Sequence, residues 1–300
     1  MKKIITSLYL FVFILTLSCG PGVSSKKSTS NISSEKKKST IANVKSTTNT
    51  SINKNDSVSI NNPLLFKDSI AFDNGINIKW KKKGNGAKLK TGQVVLIDYL
   101  TALKDGSLVD GNRLLGISQT PYMVGFNYKT KGWDLALKEL RIGDQVRINI
   151  PSELCYGKKG FGELIPPNSE NIIALKVLAE LNPSYIKKGI KVWKIRKADD
   201  SNTMDFDLNT QLGFHFFAST ANTKNIINTY KNNSLNRINY NDLSNNNLFK
   251  FSLKNVKAGQ QLYIVASPYF SDHLGDFSIK NHSNEQVFFN VDVISIEASK

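Results

Sequence analysis

Residues 94–107 have the sequence VVLIDYLTALKDGS, a run of β-branched and aromatic side chains that ends in a turn sequence. The run from Val94 to Leu103 predicts a strand, because such side chains suit a pleated, half-buried surface. The Asp105-Gly106 pair predicts a tight turn, because these residues tolerate the positive φ angles that such turns need. A strand that leads into a tight turn favours an antiparallel sheet.

The residues that follow predict one short helix and two more strands. Apolar residues at helical spacing are Trp133, Ala136, Leu137 and Leu140. Gly143 stands where such a helix would stop. Apolar residues in strand-like alternation are Val146, Ile148 and Ile150, then Ile173, Leu175 and Val177. We therefore expect an α+β domain in which an antiparallel β-sheet wraps around a short helix.

Composition narrows the class of protein. The chain has 300 residues and 40 Lys+Arg against 24 Asp+Glu, and 40% of its residues are hydrophobic, which excludes a polytopic membrane protein. Its two cysteines are too few for a disulfide framework or a thiolate zinc site, and His215, His273 and His282 have no metal-ligand spacing, so no metal is expected. No other cofactor is expected either. The basic residues are scattered and have no zinc-finger or helix-turn-helix spacing, so nucleic acid is not an expected partner.

The first residues predict an export signal. Met1-Lys2-Lys3 is basic and Ile4–Leu17 is almost wholly apolar. About 14 apolar residues are too few to cross a hydrocarbon core of about 30 Å. The segment resembles a bacterial lipoprotein signal, which implies a signal peptide at 1–18 and acylation of Cys19, for instance with palmitate. An ordinary cleaved signal peptide is the alternative.

Residues 19–62 are rich in Ser, Thr, Asn and Lys and poor in large apolar side chains. Such a segment cannot bury enough surface to offset its chain entropy, so we predict a disordered tether behind the lipid anchor. Its lysines either belong to a solvated spacer or bind anionic lipid headgroups. The anchor implies a bacterial cell envelope, and Gly20 after the cysteine favours the outer membrane over the inner one.

Residues 75–182 resemble the FKBP-type peptidyl-prolyl isomerases. The motifs that carry the resemblance are Gly84-Asn85-Gly86-Ala87, Tyr99, Asp105-Gly106, Val109-Asp110, Gly132-Trp133, Leu140-Arg141-Ile142-Gly143, Tyr156-Gly157 and Leu164-Ile165-Pro166-Pro167. Each is weak alone, and their common order and spacing make the resemblance specific. We assign the isomerase domain to 63–182.

The resemblance implies a pocket for a proline ring, with Trp133 as its floor. The implied catalytic residues are Tyr99, Asp110, Trp133 and Tyr156. The implied substrate-binding residues are Val109, Thr130, Phe161, Ile165 and Ile173. Tyr156 and the main-chain N–H of Thr130 would hold substrate carbonyl groups. Taken singly, such aromatic residues are more often part of a core, and an aspartate is more often a turn residue.

The chain departs from the family pattern in the pocket. Val109, Thr120 and Ile173 stand where aromatic residues are usual, and Lys129-Thr130 replaces an aliphatic pair. Phe161, in the loop 157–162, is expected to supply one aromatic ring to the pocket from a different direction. We therefore expect weaker catalysis than in a typical member and weak binding of the macrolides tacrolimus and rapamycin.

Residues 183–300 predict a degenerate repeat of the same fold. Gly143 falls on Gly259, and Ile173 falls on Phe289, at a constant shift of 116 residues. The same comparison puts Tyr99 on Phe217, Trp133 on Phe249 and Tyr156 on Asp272. The site would thus be lost while the core is kept. An unrelated β-sandwich is the alternative.

Together these features favour a lipid-anchored isomerase that twists X-Pro bonds in unfolded or surface proteins of the envelope. A non-catalytic chaperone or adaptor that uses an FKBP-like scaffold for binding is the alternative. A third hypothesis is a structural subunit of an envelope machine.

Overall fold

The computed structural model describes residues 66–198, 201, 204–232, 235–244, 247–267 and 284–299. The predicted signal peptide, Cys19 and the whole of the predicted tether at 19–62 lie outside these residues, and so does Asp272. Among the residues described, no helix is both long enough and apolar enough to cross a membrane.

The first half of the described chain forms a seven-stranded antiparallel sheet. Its strands are β1 (Asp68–Ala71), β2 (Asn77–Lys82), β3 (Val94–Ala102), β4 (Leu108–Gly111), β5 (Thr120–Met123), β6 (Gln145–Ile150) and β7 (Asn171–Leu181). The strand order is β1-β2-β6-β7-β3-β4, and β5 also pairs with β3. The predicted turn after β3 is present, and Gly106 adopts a φ of 91° there.

The predicted short helix is α1 (Lys131–Leu137). Its buried side chains Trp133, Ala136 and Leu137 share one hydrophobic core with the inward-facing residues of β6 and β7. Along β6, buried and half-buried residues alternate, as the sequence pattern predicts. Gly143 follows the helix with a φ of 93°, a backbone conformation that favours glycine.

The second half forms another seven-stranded antiparallel sheet. Its strands are β8 (Tyr185–Lys187), β9 (Ile190–Arg196), β10 (Thr210–Ser219), β11 (Ile227–Asn228), β12 (Asn236–Asn239), β13 (Gln261–Ala266) and β14 (Val287–Ala298), with helix α2 (Leu248–Ser252) before β13. The order β8-β9-β13-β14-β10-β11, with β12 on β10, repeats that of the first sheet. The second half therefore repeats the strand topology of the first.

Equivalent hydrogen bonds support the shift of 116 residues. The N–H of Gly143 donates to the carbonyl of Val177 at 2.8 Å, and the N–H of Gly259 donates to the carbonyl of Val293 at 2.8 Å. Phe249, which the shift places on Trp133, is buried in the second core. The ring of Phe249 thus occupies, in the second core, the position that the indole of Trp133 occupies in the first.

The predicted match of Tyr99 with Phe217 is wrong by one residue. Tyr99 pairs across its sheet with Leu175, whereas Phe216 pairs with Val291 at the corresponding position. Phe216 is therefore the equivalent of Tyr99 and lies in the core of the second domain. Because side chains alternate between the faces of a strand, Phe217 points the other way.

Phe217 belongs to a cluster that joins the two sheets, which we call the interface cluster. It consists of Val94, Met123 and Phe126 from the first half with Trp193, Phe217, Tyr263, Val265 and Phe288 from the second, and Tyr128 packs against it. The indole N–H of Trp193 also donates to the carbonyl of Leu181 at 2.8 Å. The two domains are thus held together next to residues 125–129, the loop that leads into α1.

Candidate functional site

Trp133 lies in the first turn of α1 and is buried in the core that the helix shares with the sheet. Its ring is 5.1 Å from that of Tyr99 in an edge-on arrangement and 5.5 Å from that of Tyr122 in a stacked one. A Cβ atom on the preceding residue, Gly132, would lie 2.2 Å from Cγ2 of Ile150. Glycine is therefore required for the start of α1 to lie this close to β6.

Tyr99 and Asp110 meet beside the indole. The Tyr99 hydroxyl donates to Oδ1 of Asp110 at 2.9 Å, and the N–H of Gly111 donates to the same oxygen at 2.8 Å. Burial and the neighbouring Asp110 charge raise the pKa of Tyr99 well above its ordinary value. Tyr99 therefore stays a neutral phenol, and its proton orients the carboxylate.

Lys129 enters this group of side chains from the loop before α1. Its Nζ donates to the Tyr99 hydroxyl at 2.7 Å and pairs with Oδ2 of Asp110. The ammonium group lies 4.5 Å from the centre of the Tyr99 ring and 5.2 Å from that of the Trp133 ring. Both distances fall within the range of a cation–π contact. A cation therefore lies over the predicted floor of the pocket.

A second group of predicted residues packs together beyond Asp110. Val109 and Ile165 share a small apolar cluster with Tyr156 and Phe161. The rings of Tyr156 and Phe161 are 5.5 Å apart, and the N–H of Phe161 donates to the carbonyl of Ile165 at 2.7 Å. This arrangement makes one apolar wall from the segment between β6 and β7.

The hydroxyl of half-buried Tyr156 has no hydrogen-bond partner among the described residues. Burial is the main cause that raises the pKa of Tyr156 to about 12. The phenol is therefore protonated at neutral pH and can donate to a carbonyl group of a bound molecule.

Thr130 and Ile173 complete the predicted set. Thr130 precedes α1 in an extended conformation, and within the described part of the chain its N–H has no acceptor. Ile173 is fully buried in the core that contains Trp133, so it supports the indole from within the domain. The nearby thiol of Cys155 has its pKa raised to about 12 by burial, which makes it a weak nucleophile at neutral pH.

The sequence pattern did not single out Asp134, which holds the loop carrying Lys129. Its Oδ1 accepts from the Tyr122 hydroxyl and from the N–H of Gly125, each at 3.0 Å, and its Oδ2 accepts from the N–H of Asn127. Burial raises the pKa of Asp134, against the opposing effect of these donors. The sequence signal that could have identified it is an acidic residue directly after Trp133, inside the predicted helix.

Comparison with known proteins identifies relatives of the first domain. A model of the FKBP-type peptidyl-prolyl cis-trans isomerase family matches residues 85–178. FK506-binding protein 1 of Saccharomyces cerevisiae is 33% identical over 113 residues, which are 37% of this chain and 96% of the yeast protein. FK506-binding protein 4 of Aspergillus fumigatus is 38% identical over 104 residues, which are 35% of this chain and only 21% of that protein.

A solved structure of the three FKBP domains of wheat FKBP73 covers more of the chain. It aligns with 75% of this chain and 96% of its own length, at 15% sequence identity and a TM-score of 0.36.

Proposed function

Because this chain belongs to the FKBP-type peptidyl-prolyl cis-trans isomerase family, we propose that its N-terminal domain catalyses cis–trans exchange of X-Pro bonds. The export signal predicted at residues 1–18 supports the further proposal that its substrates are exported proteins of a bacterial envelope. The observation that carries the proposal is the grouping of Tyr99, Asp110 and Trp133, with the unpartnered hydroxyl of Tyr156 nearby.

The pocket lowers the barrier by favouring a twisted peptide bond. Rotation of a peptide bond has a barrier of about 18–20 kcal/mol, because resonance keeps the amide planar. The planar form has more charge separation than the twisted form, so apolar surroundings disfavour it. Trp133, Val109 and Ile165 supply such surroundings. Preferential binding of the twisted form raises the rate about tenfold for each ~1.4 kcal/mol.

Polar groups around these walls hold the substrate chain on either side of the proline. The Tyr156 hydroxyl donates to one substrate carbonyl, and the Thr130 N–H donates to another. Asp110, oriented by the Tyr99 hydroxyl, lies beside the rotating amide. Rotation breaks no covalent bond, so these groups act through binding and orientation.

The proposal predicts that Tyr156→Phe lowers kcat/KM on a short X-Pro peptide about tenfold, the equivalent of one lost hydrogen bond. The rate is measured by NMR exchange between the cis and trans signals. Tyr240→Phe, which removes a tyrosine hydroxyl from the second domain, is the control and should leave the rate unchanged. Unchanged rates in both Tyr156→Phe and Trp133→Leu would contradict the assignment of the pocket.

An adaptor function is the second candidate for the chain, and the second domain favours it. Phe249 stands at the position of Trp133 and is enclosed by Phe214, Phe216 and Phe289. Phe216 stands at the position of Tyr99, so the hydroxyl that orients Asp110 in the first domain has no counterpart in the second. We assign the second domain a role in packing and binding rather than in turnover.

We also propose that acylation of Cys19 anchors the chain in the bacterial outer membrane, with residues 20–62 as the tether. The basic start, the apolar run and the cysteine that ends it support this proposal. A lipid anchor would keep the isomerase domain near exported chains that emerge at the membrane.

Labelling with radioactive palmitate in a bacterial host tests the anchor. We expect label on the unaltered protein and on Cys155→Ala, and loss of label from Cys19→Ala. Label that persists in Cys19→Ala, or that is lost with Cys155→Ala, would exclude Cys19 as the acylated residue.

A further inference from the structure

The ammonium group of Lys129 lies where a proline ring would have to rest. Its Nζ is 5.2 Å from the centre of the Trp133 ring and 4.5 Å from the centre of the Tyr99 ring. It is bound to the Tyr99 hydroxyl and to Asp110, the two polar groups next to the indole. A proline ring that reaches Trp133 from their side must therefore displace this ammonium group.

The second domain holds the main chain around Lys129 in place. Nζ of Lys224 donates to the Lys129 carbonyl. The preceding ring, Tyr128, stacks on Phe217 at 5.9 Å, and the hydroxyl of Tyr263 donates to that of Tyr128 at 3.0 Å. Because the backbone is held in this way, an incoming proline ring would move the side chain of Lys129 rather than the loop that carries it.

Displacement changes the partners of the two charges unequally. Asp110 keeps two donors, the Tyr99 hydroxyl at 2.9 Å and the Gly111 N–H at 2.8 Å. Lys129 loses its carboxylate and its contact with two aromatic rings. While it is paired with Asp110, the side chain of Lys129 is only 22% exposed. When a substrate enters, the displaced ammonium group therefore binds best to a new anionic partner.

From this geometry we propose that Lys129 is a specificity-determining residue that makes the proline site select sequences with an acidic residue beside the proline. A substrate carboxylate replaces Asp110 as the partner of the displaced ammonium group. An apolar neighbour leaves the ammonium group to solvent, and a basic neighbour repels it. The proposal deepens the isomerase function and rests on it for its substrate.

Three capped peptides test the proposal on the full chain: Ala-Glu-Pro-Phe, Ala-Leu-Pro-Phe and Ala-Lys-Pro-Phe. For the unaltered protein we expect kcat/KM and affinity to fall in that order, with about a fivefold difference between the first two, as for one partly exposed ion pair. This preference should shrink at high salt, because screening weakens exposed charge pairs.

Lys129→Met should remove the preference and raise kcat/KM on the leucine peptide about tenfold, because no cation then has to leave the indole. Lys131→Met is the matched control. It removes the same charge from an exposed position two residues further on, and it should keep the preference of the unaltered protein.

Binding of the same peptides, followed by NMR chemical-shift changes, separates this inference from the proposed function. Binding that prefers the glutamate peptide in a protein without turnover would support Lys129 and contradict the isomerase function. Equal binding of all three peptides by the unaltered protein, a preference that survives Lys129→Met, or no binding by either protein would overturn the inference.

Discussion

Replacing Asp134 with alanine is expected to lower the free energy of unfolding of the first domain by about 3 kcal/mol or more, since each buried donor that loses its acceptor costs about 1–3 kcal/mol. Asp134 is 4% exposed and accepts three hydrogen bonds, from the Tyr122 hydroxyl and the N–H groups of Gly125 and Asn127. Alanine leaves all three donors without a partner in a site that water scarcely reaches.

Urea unfolding followed by tryptophan fluorescence measures this loss. Asp134→Asn should lose less than half as much stability, because its remaining side-chain oxygen can still accept the two bonds that Oδ1 accepts from Tyr122 and Gly125. Only the bond from the N–H of Asn127 is lost, since an amide NH2 group cannot accept it. Asp105→Ala, in the exposed turn after β3, is the control and should change stability by less than about 1 kcal/mol. A loss in Asp134→Ala no larger than in the control would mean that the loop is held by other contacts.

Parts of the first domain could be predicted from the sequence because strands such as β6 alternate between buried and half-buried residues. β6 alternates from Gln145 to Ile150, and the observed burial follows that alternation. The turn after β3 was predictable from Asp105-Gly106, since its φ requirement is local. Such features depend mainly on residues that are close in the sequence, so the residue pattern predicts them directly.

The register of β10 could not be predicted in the same way. The segment Leu212-Gly213-Phe214-His215-Phe216-Phe217 has apolar residues on both faces, and both faces are covered, one by the second core and the other by the interface cluster. Because phenylalanine stands at both 216 and 217, the residue pattern alone does not say which of the two takes the position of Tyr99. The interface between the domains was missed for the same reason.

One part of the candidate site could likewise be predicted from the sequence, and another part could not. The grouping of Tyr99, Asp110 and Trp133 follows from the order of motifs and from the sheet that connects them. The position of Lys129 does not follow, because a lysine in a loop usually extends into water. Its side chain turns inward only because the two rings and the carboxylate lie within its reach, and that arrangement exists only in the folded domain.

Phe288→Ala is the second change for which we expect a large effect, a loss of about 3–5 kcal/mol, as is usual for a buried phenylalanine. Phe288 is fully buried in the interface cluster, and its ring lies 5.2 Å from that of Tyr263, 5.6 Å from that of Phe217 and 5.9 Å from that of Phe126. Its removal leaves a cavity between the domains rather than inside either of them.

Phe289→Ala is the matched control, since Phe289 is the next residue on β14, is equally buried and faces the core of the second domain. Both changes should cost similar stability, but only Phe288→Ala should speed amide hydrogen exchange at Asn127, Tyr128 and Lys129. Because the same contacts hold Lys129 over the indole, only Phe288→Ala should also weaken the preference for acidic peptides. Equal exchange in the two variants would mean that the second domain does not position this loop, and the link between the interface and the proline site would be lost.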